Sequence, residues 1–327
     1  MRIVVYDPYA KKFTSDMILW WEQNGHEVQY SNYYNPKLVA WADILYFFTC
    51  DNNLASATNP GQAILADDSN FRPWDLHDHN LTGKRVIVSP IDIEVWGGHQ
   101  MAAKWDLVDD VICIAPHIQE ELNIDALPGI GEKTKFHLIP FSVNLDRWTF
   151  KERKPGFDVA VVSERWVSKG TDLILQIALK LKRIDERYKI HWLGQWGGQG
   201  QWEQSYFTDF VEHNNLNIEF TNILNDGRTV DEFLEDKNYL LHGSKKEAFC
   251  AAIAEAMAKG IKVIPHRFYG ADDIWPGMTW DSIDEAIEMI VSPEYDSQSY
   301  RQYLIDHGYT LPQMMEKFDA IINNKEK

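Results

Sequence analysis

Cysteine is scarce: the 327 residues hold three, Cys50, Cys113 and Cys250, in apolar contexts and without any CxxC spacing. Neither a disulfide framework nor a spaced zinc motif is suggested, and a reducing, cytoplasmic setting is the simplest reading. Long apolar runs are missing as well. No window approaches the ~18 apolar residues of a membrane span, and the opening MRIVVYDPY reads as a β-strand with no apolar signal core. Glycine is absent where dinucleotide folds need it, because the turn after the first strand is Asp7-Pro8-Tyr9-Ala10-Lys11. The Gly-rich stretch from Gly194 to Gly200 lacks the GxGxxG spacing, and no GxxxxGK[ST] occurs. Hydride transfer and P-loop chemistry are therefore disfavoured. Positive charge is also short: 32 Lys and Arg against 49 Asp and Glu leave a net charge of −17. A nucleic acid or an anionic membrane would need a local basic patch to bind.

What is present is a folded protein. Hydrophobic residues make up 45%, charged residues 25%, and there are 13 Trp, 14 Tyr and 15 Phe. The length exceeds one ordinary core and suits two domains. Short apolar runs alternate with amphipathic segments, the pattern of parallel sheets covered by helices on both faces. Strands are expected at 2–6, 27–30, 44–48, 85–88, 111–114 and 135–140, with helices at 14–24 and 118–123. A second series begins at 157–162 and continues through 172–184 (helix), 189–193, 206–214 (helix), 218–220, 230–234, 239–242, 251–259 (helix) and 262–265. The hydrophilic stretch Asn144–Gly156 reads as a linker, and two helices are expected after Ser282. The fold class is thus α/β, with two Rossmann-like, doubly wound parallel-sheet domains facing a central cleft. Residues 1–150 form the first and 151–327 the second, with the last helix returning to the first. Between Asp51 and Lys84 the pattern lapses into a polar stretch long enough to be a functional loop.

Basic residues concentrate in the second half, so a compact anion is expected there. The segment from Tyr239 to Ile264 is the most informative. A strand enters a loop bearing Glu247, and a helix of small residues begins near Phe249, carries Glu255 and stops at Gly260. Backbone N–H groups at Phe249, Cys250 and Ala251 would seat an anion at the helix start. Carboxylates eight positions apart, Glu247 and Glu255, suit the hydroxyls of a sugar and a ribose beside a diphosphate.

With Glu247 to Gly260 and Val161-Val-Ser-Glu-Arg-Trp-Val-Ser-Lys-Gly-Thr-Asp172, the chain resembles the retaining GT-B glycosyltransferases of glycosyltransferase family four, whose signature is Glu-x7-Glu. Weaker echoes, Asn24 to Val28, Ile139 to Asp146 and Tyr188 to Gly194, follow in order over nearly the whole chain. The resemblance implies that Arg165 and Lys169 neutralise the donor diphosphate, Glu255 holds the ribose and Glu247 contacts the transferred sugar. Departures are Asp7–Lys11 for the family's Gly-rich turn, Ile91-Asp92 for its His-Asp, Cys250 for a Gly and Lys262 for a Pro. Arg165 also stands one position nearer Lys169 than is common. Such enzymes usually need no divalent metal, and no Asp-x-Asp occurs. The expected cofactor set is empty and no metal ligands are assigned.

On the acceptor side, Asp92 at a strand end and His99 after Trp96-Gly97-Gly98 are candidates, against the plain alternatives of a capped or structural turn. Asp75-Leu-His77-Asp78-His79 has metal-binding residue types but reads as a solvated loop. Most Trp residues, Trp20 and Trp21 among them, are expected in the core. The expected activity is metal-independent, same-face transfer of a hexosyl or pentosyl unit, with Glu247, Lys169, Arg165 and Asp92 as the catalytic set. The donor is a UDP- or GDP-sugar, and the acceptor a glycan, lipid-linked sugar or small molecule. Modified bases of viral DNA are a lesser option. Alternatives are a non-catalytic nucleotide-sugar-binding protein on the same scaffold and a sugar-nucleotide epimerase.

Overall fold

The computed structural model describes residues 1–58, 81–130, 132–197, 201–222 and 229–323. The chain divides into two compact units, Met1–Phe141 with Leu311–Lys327, and Ser142–Thr310. Continuous apolar runs become fully buried parallel strands, since helices cover both faces of such a sheet.

In the first unit β1 (Arg2–Tyr6), β2 (Glu27–Ser31), β3 (Ile44–Phe47), β4 (Arg85–Val88), β5 (Asp110–Cys113) and β6 (Lys135–Leu138) form a parallel sheet in the order β2-β1-β3-β4-β5-β6. β1 pairs with β3 in the register Ile3 to Ile44 through Tyr6 to Phe47. One face packs Val4, Leu45, Phe47, Val86 and Val111 against Val39, Leu54 and Trp105, all buried. The other face is closed by helix Leu311–Asn323, whose Phe318 meets Trp21 and Tyr46 edge-on at 6.2 and 5.7 Å. Trp20 Nε1 donates to Asp319 Oδ2 at 3.0 Å, which fixes that helix on Ser15–Gln23.

In the second unit β7 (Asp158–Val162), β8 (Lys189–Leu193), β9 (Ile218–Thr221), β10 (Tyr239–His242) and β11 (Lys262–Pro265) form a parallel sheet ordered β11-β10-β7-β8-β9. Its core joins Val159, Val161, Trp192 and Leu241 to Ile174, Leu181, Ile287 and Ile290 of the covering helices.

Five strand expectations, Arg2–Tyr6, Arg85–Val88, Lys189–Leu193, Tyr239–His242 and Lys262–Pro265, match residue for residue. Others shift by one or two positions at their ends, where fraying backbone carries little pattern. Short helices at Pro36–Trp41, Asn52–Thr58, Ile93–Trp96 and Ala271–Ile274 have no counterpart in the sequence reading, being too short to show periodicity. After Ser282 three helices are present where two are expected, Ile283–Val291, Ser297–Asp306 and Leu311–Asn323. The stretch Asn144–Gly156 lies within the second unit. There the Arg153 guanidinium donates to the carbonyls of Lys259, Glu235 and Lys237. Among the described residues no helix is long and apolar enough to cross a membrane.

Candidate active site

In an open parallel sheet, ligands bind beyond the carboxyl ends of the strands where the winding order reverses. In the second unit that reversal falls between β7 and β10: the chain runs outward from β7 through β8 and β9, then returns to β10 on the other side. The two loops at this point are locked together by close backbone approach. Gly170 has φ +69°, and a Cβ there would lie 2.0 Å from the Gly243 carbonyl oxygen. Lys245 N donates to Ser168 O at 2.8 Å, a second tie between the same loops.

This packing brings Lys169, from the loop after β7, onto Glu247, from the loop after β10. Their Nζ and Oε1 are 2.5 Å apart, with side-chain exposures of 30% and 12%. The lysine therefore stays reachable by a ligand while the carboxylate is largely enclosed. His242, the last residue of β10, places Nε2 3.4 Å from the same oxygen. Burial alone would push the Glu247 carboxyl up, but the His242 hydrogen bond and the Lys169 charge outweigh it and hold it at about 2. Burial acts downward on His242, yet Cys250 and Glu247 overcome this and raise it to about 9. The two groups form an ionised pair because each supplies the charge the other needs.

The helix beyond Glu247 is Ala251–Ala258, and Cys250 is its N-cap with φ +64° and ψ 82°. This left-handed conformation is natural to glycine and costs an L-residue about 1 kcal/mol. Phe249 is buried, its ring 5.2 Å from Trp275 and 5.1 Å from Tyr309, which anchors the helix start. Ala251 opens the helix, where N–H groups have no intrahelical acceptor and attract anions. Glu255 is half-buried about one turn along. The positive φ of Cys250 sets the helix start at Ala251, as in the expected segment 251–259 and two residues beyond the Phe249 start read from the motif.

Arg165 is placed differently from Lys169. The residue is 3% exposed, and its guanidinium donates to the Gly194 carbonyl and to Asn222 Oδ1. It also lies over Trp196 at 4.8 Å and Phe220 at 5.0 Å. Burial lowers it to about 10, so it remains charged near neutrality. The aromatic rings and carbonyl hold it along the β8 side of the loop.

In the first unit the winding reverses between β1 and β3. The Asp7–Lys11 turn keeps a glycine-like path without glycine: Ala10 has φ 54° and Lys11 φ 66°. Buried Asp7 organises it by accepting from Tyr9 N and Thr14 Oγ1, each at 2.7 Å. Asp92 is half-buried just before helix Ile93–Trp96, while His99 is exposed at the start of the 3-10 turn His99–Ala102. Beside Asp92 stands Glu94, which the sequence reading did not single out. It is 2% exposed and raised to about 7 by burial and by the Asp92 charge. Asp51, after β3, is raised to about 6, mainly by burial. Tyr9 is raised by burial and by Glu94, Asp92, Asp51 and Asp7, which marks these carboxylates as one electrostatic group. No spacing motif could have found it, because its members come from three separate strand ends. Asp75, His77, Asp78 and His79 fall outside the described residues.

Residues 145–275 match the family model described as glycosyl transferases group 1. No curated protein matches the chain. Among solved structures, sucrose-phosphate synthase from Thermosynechococcus elongatus superposes with a TM-score of 0.71 at 13% identity, covering 98% of each chain. Anabaena Alr3699/HepE in complex with UDP and glucose gives 0.66 at 14% identity, covering 99% of this chain and 100% of that one. S. aureus TarM, in a complex with fondaparinux, alpha-GlcNAc-glycerol and UDP, gives 0.63 at 15% identity over 88% of this chain. The present chain spans only 59% of the TarM chain. The fold is GT-B, and residues 145–275 are similar to glycosyl transferases group 1.

Proposed function

We propose that the chain transfers a sugar from a nucleotide-diphosphate sugar to an acceptor hydroxyl with retention of anomeric configuration, without a catalytic metal. The observation that carries this reading is the Lys169–Glu247 pair, 2.5 Å apart at the reversal point of the second sheet and at the mouth of helix Ala251–Ala258. The ammonium and the helix N-terminus would stabilise the charge that develops on the departing diphosphate. Glu247, ionised and held by His242, would accept a hydroxyl of the transferred sugar. Glu255 would take the ribose. Arg165, charged and held by Gly194 and Asn222, would help to neutralise the diphosphate. No enzyme nucleophile is assigned, so the acceptor hydroxyl attacks from the face the diphosphate leaves, and its proton passes to the departing phosphate oxygen.

UDP is the favoured nucleotide, supported by its presence in the HepE and TarM complexes. The carboxylates of Asp51 and Asp92 at the carboxyl edge of the first sheet disfavour a polyanionic acceptor and suit a neutral polyhydroxyl compound: a glycan, a lipid-linked sugar or a small molecule. The test is transfer by the wild type, Glu247→Gln and Lys169→Ala with a UDP- or GDP-sugar that raises the melting temperature of the wild type. Each substitution should lower kcat at least 100-fold; wild-type turnover in both would remove the assignment. Donor binding without transfer or hydrolysis over a broad acceptor panel would favour a non-catalytic nucleotide-sugar binder.

A further inference from the structure

The geometry points to a binding site for a thiophilic divalent cation, zinc or a metal of like preference, formed by His242, Glu247 and Cys250 at the donor seat. A ring nitrogen of His242, a carboxylate oxygen of Glu247 and the Cys250 sulfur all lie within 4.8 Å of one another. A tetrahedral zinc with bonds of about 2.0–2.3 Å separates its ligand atoms by about 3.4–3.7 Å. The three groups therefore need to draw together by roughly 1 Å, within reach of side-chain rotation.

Three features of the chain favour such a ligand. The donor set is one thiol, one imidazole and one carboxylate, which selects zinc or cobalt over magnesium or calcium. His242 is 5% exposed and its Nδ1 makes no hydrogen bond among the described residues, so a buried ring carries an unsatisfied polar atom. Cys250 is only half-buried, in contrast to Cys50 and Cys113 at 0% exposure, so the cluster is open on the side of the cysteine. The absence of CxxC spacing hid this set, because its members come from a strand end, a loop and a helix cap. Coordination would release the imidazolium proton and any thiol proton to solvent and leave two anionic ligands to balance the cation. Lys169 would lose or share its Glu247 oxygen.

A second consequence rests on the glycosyltransferase reading above. A cation on Glu247 occupies the carboxylate assigned to the donor sugar, so cation and nucleotide sugar should exclude one another.

The experiment titrates the full, reduced, metal-stripped chain with Co2+ and follows thiolate-to-cobalt charge-transfer absorption. The expected result is a band that saturates at one cobalt per chain and disappears on adding Zn2+. Cys250→Gly, which the positive φ accommodates, should abolish the band, and Cys250→Ser should remove its thiolate character. His242→Gln should weaken cobalt binding at least 10-fold. Absence of the band in the wild type, or its persistence in Cys250→Gly, would overturn the site. The readout needs no sugar transfer, so the two proposals fail separately. A band in a chain without transferase activity upholds the cation site and removes the donor reading; transfer without a band does the reverse. With both present, zinc should raise the donor KM at least 10-fold in the wild type and leave it unchanged in Cys250→Gly. Insensitivity of the wild type to zinc would overturn the exclusion.

Discussion

Glu94→Gln should make the first unit's stability much less dependent on pH. Glu94 is 2% exposed, accepts from Ile91 N at 2.6 Å and Asp92 N at 3.3 Å, and has no cation among those partners. Burial and Asp92 raise its carboxyl from the ordinary 4.5 to about 7. The native state therefore keeps a proton that the unfolded chain has already released, and stability falls as pH rises from about 4.5 to about 7. With those two values, the linkage relation gives a loss of about 2 kcal/mol between about pH 5.5 and about pH 8. Asp51, raised to about 6, repeats the effect at lower pH and adds about 1 kcal/mol over the same interval. The wild type should thus lose about 3 kcal/mol over this range and Glu94→Gln only about 1. Gln keeps an acceptor for Ile91 N and has no proton to lose. Urea unfolding at the two pH values, resolved peptide by peptide with pulsed hydrogen exchange, isolates β3 and β4 as reporters of the first unit. Equal pH dependence in wild type and variant would refute the claim that Glu94 is held neutral by its surroundings.

The remaining predictions concern the backbone devices around both sheets. Gly170→Ala should cost about 3 kcal/mol or more, because its Cβ would meet the Gly243 carbonyl oxygen at 2.0 Å on a backbone with φ +69°; a wild-type urea midpoint would contradict this. Cys250→Gly should stabilise the second unit by about 1 kcal/mol by relieving the left-handed cap, read as a higher melting temperature in metal-free buffer. Asp7→Ala should cost about 1–3 kcal/mol, since buried Thr14 Oγ1 and the Tyr9 N–H lose their acceptor, whereas Asp7→Asn should retain most of the stability. Unchanged unfolding of Asp7→Ala would show that the turn holds itself.

Much of the architecture was legible because buried parallel strands are continuous apolar runs. Ile-Val-Val-Tyr at 3–6 and Tyr-Leu-Leu-His at 239–242 admit few other readings. The Glu247 to Gly260 segment was equally legible, as a loop acid, a helix of small residues and a glycine stop have characteristic spacing. Short helices such as Ile93–Trp96 were not, since one turn has no period. The sequence also contains no glycine at Ala10, Lys11 or Cys250, yet each adopts a positive φ. Local composition therefore understated how closely these turns follow a glycine path, and Asp7 shows how side-chain hydrogen bonds can supply what conformational freedom does not.

The amino-acid sequence by itself determined the alternation of strands and helices, the separation into two sheets and the residue types available for chemistry, because periodicity and spacing are properties of the chain. Which of those residues meet was decided only in three dimensions. Lys169 and Glu247, 78 positions apart, are joined because β7 and β10 are neighbours across the reversal of the winding. Arg165, grouped with Lys169 by the resemblance, is held by Trp196, Phe220, Gly194 and Asn222, contacts that no spacing in the chain announces. His242 carries no motif, and becomes part of the site because β10 ends on it, with its ring within 4.8 Å of Glu247 and Cys250. Chain distance sets the order in which groups appear; strand order and burial set which charges they face, and through those charges what they can do.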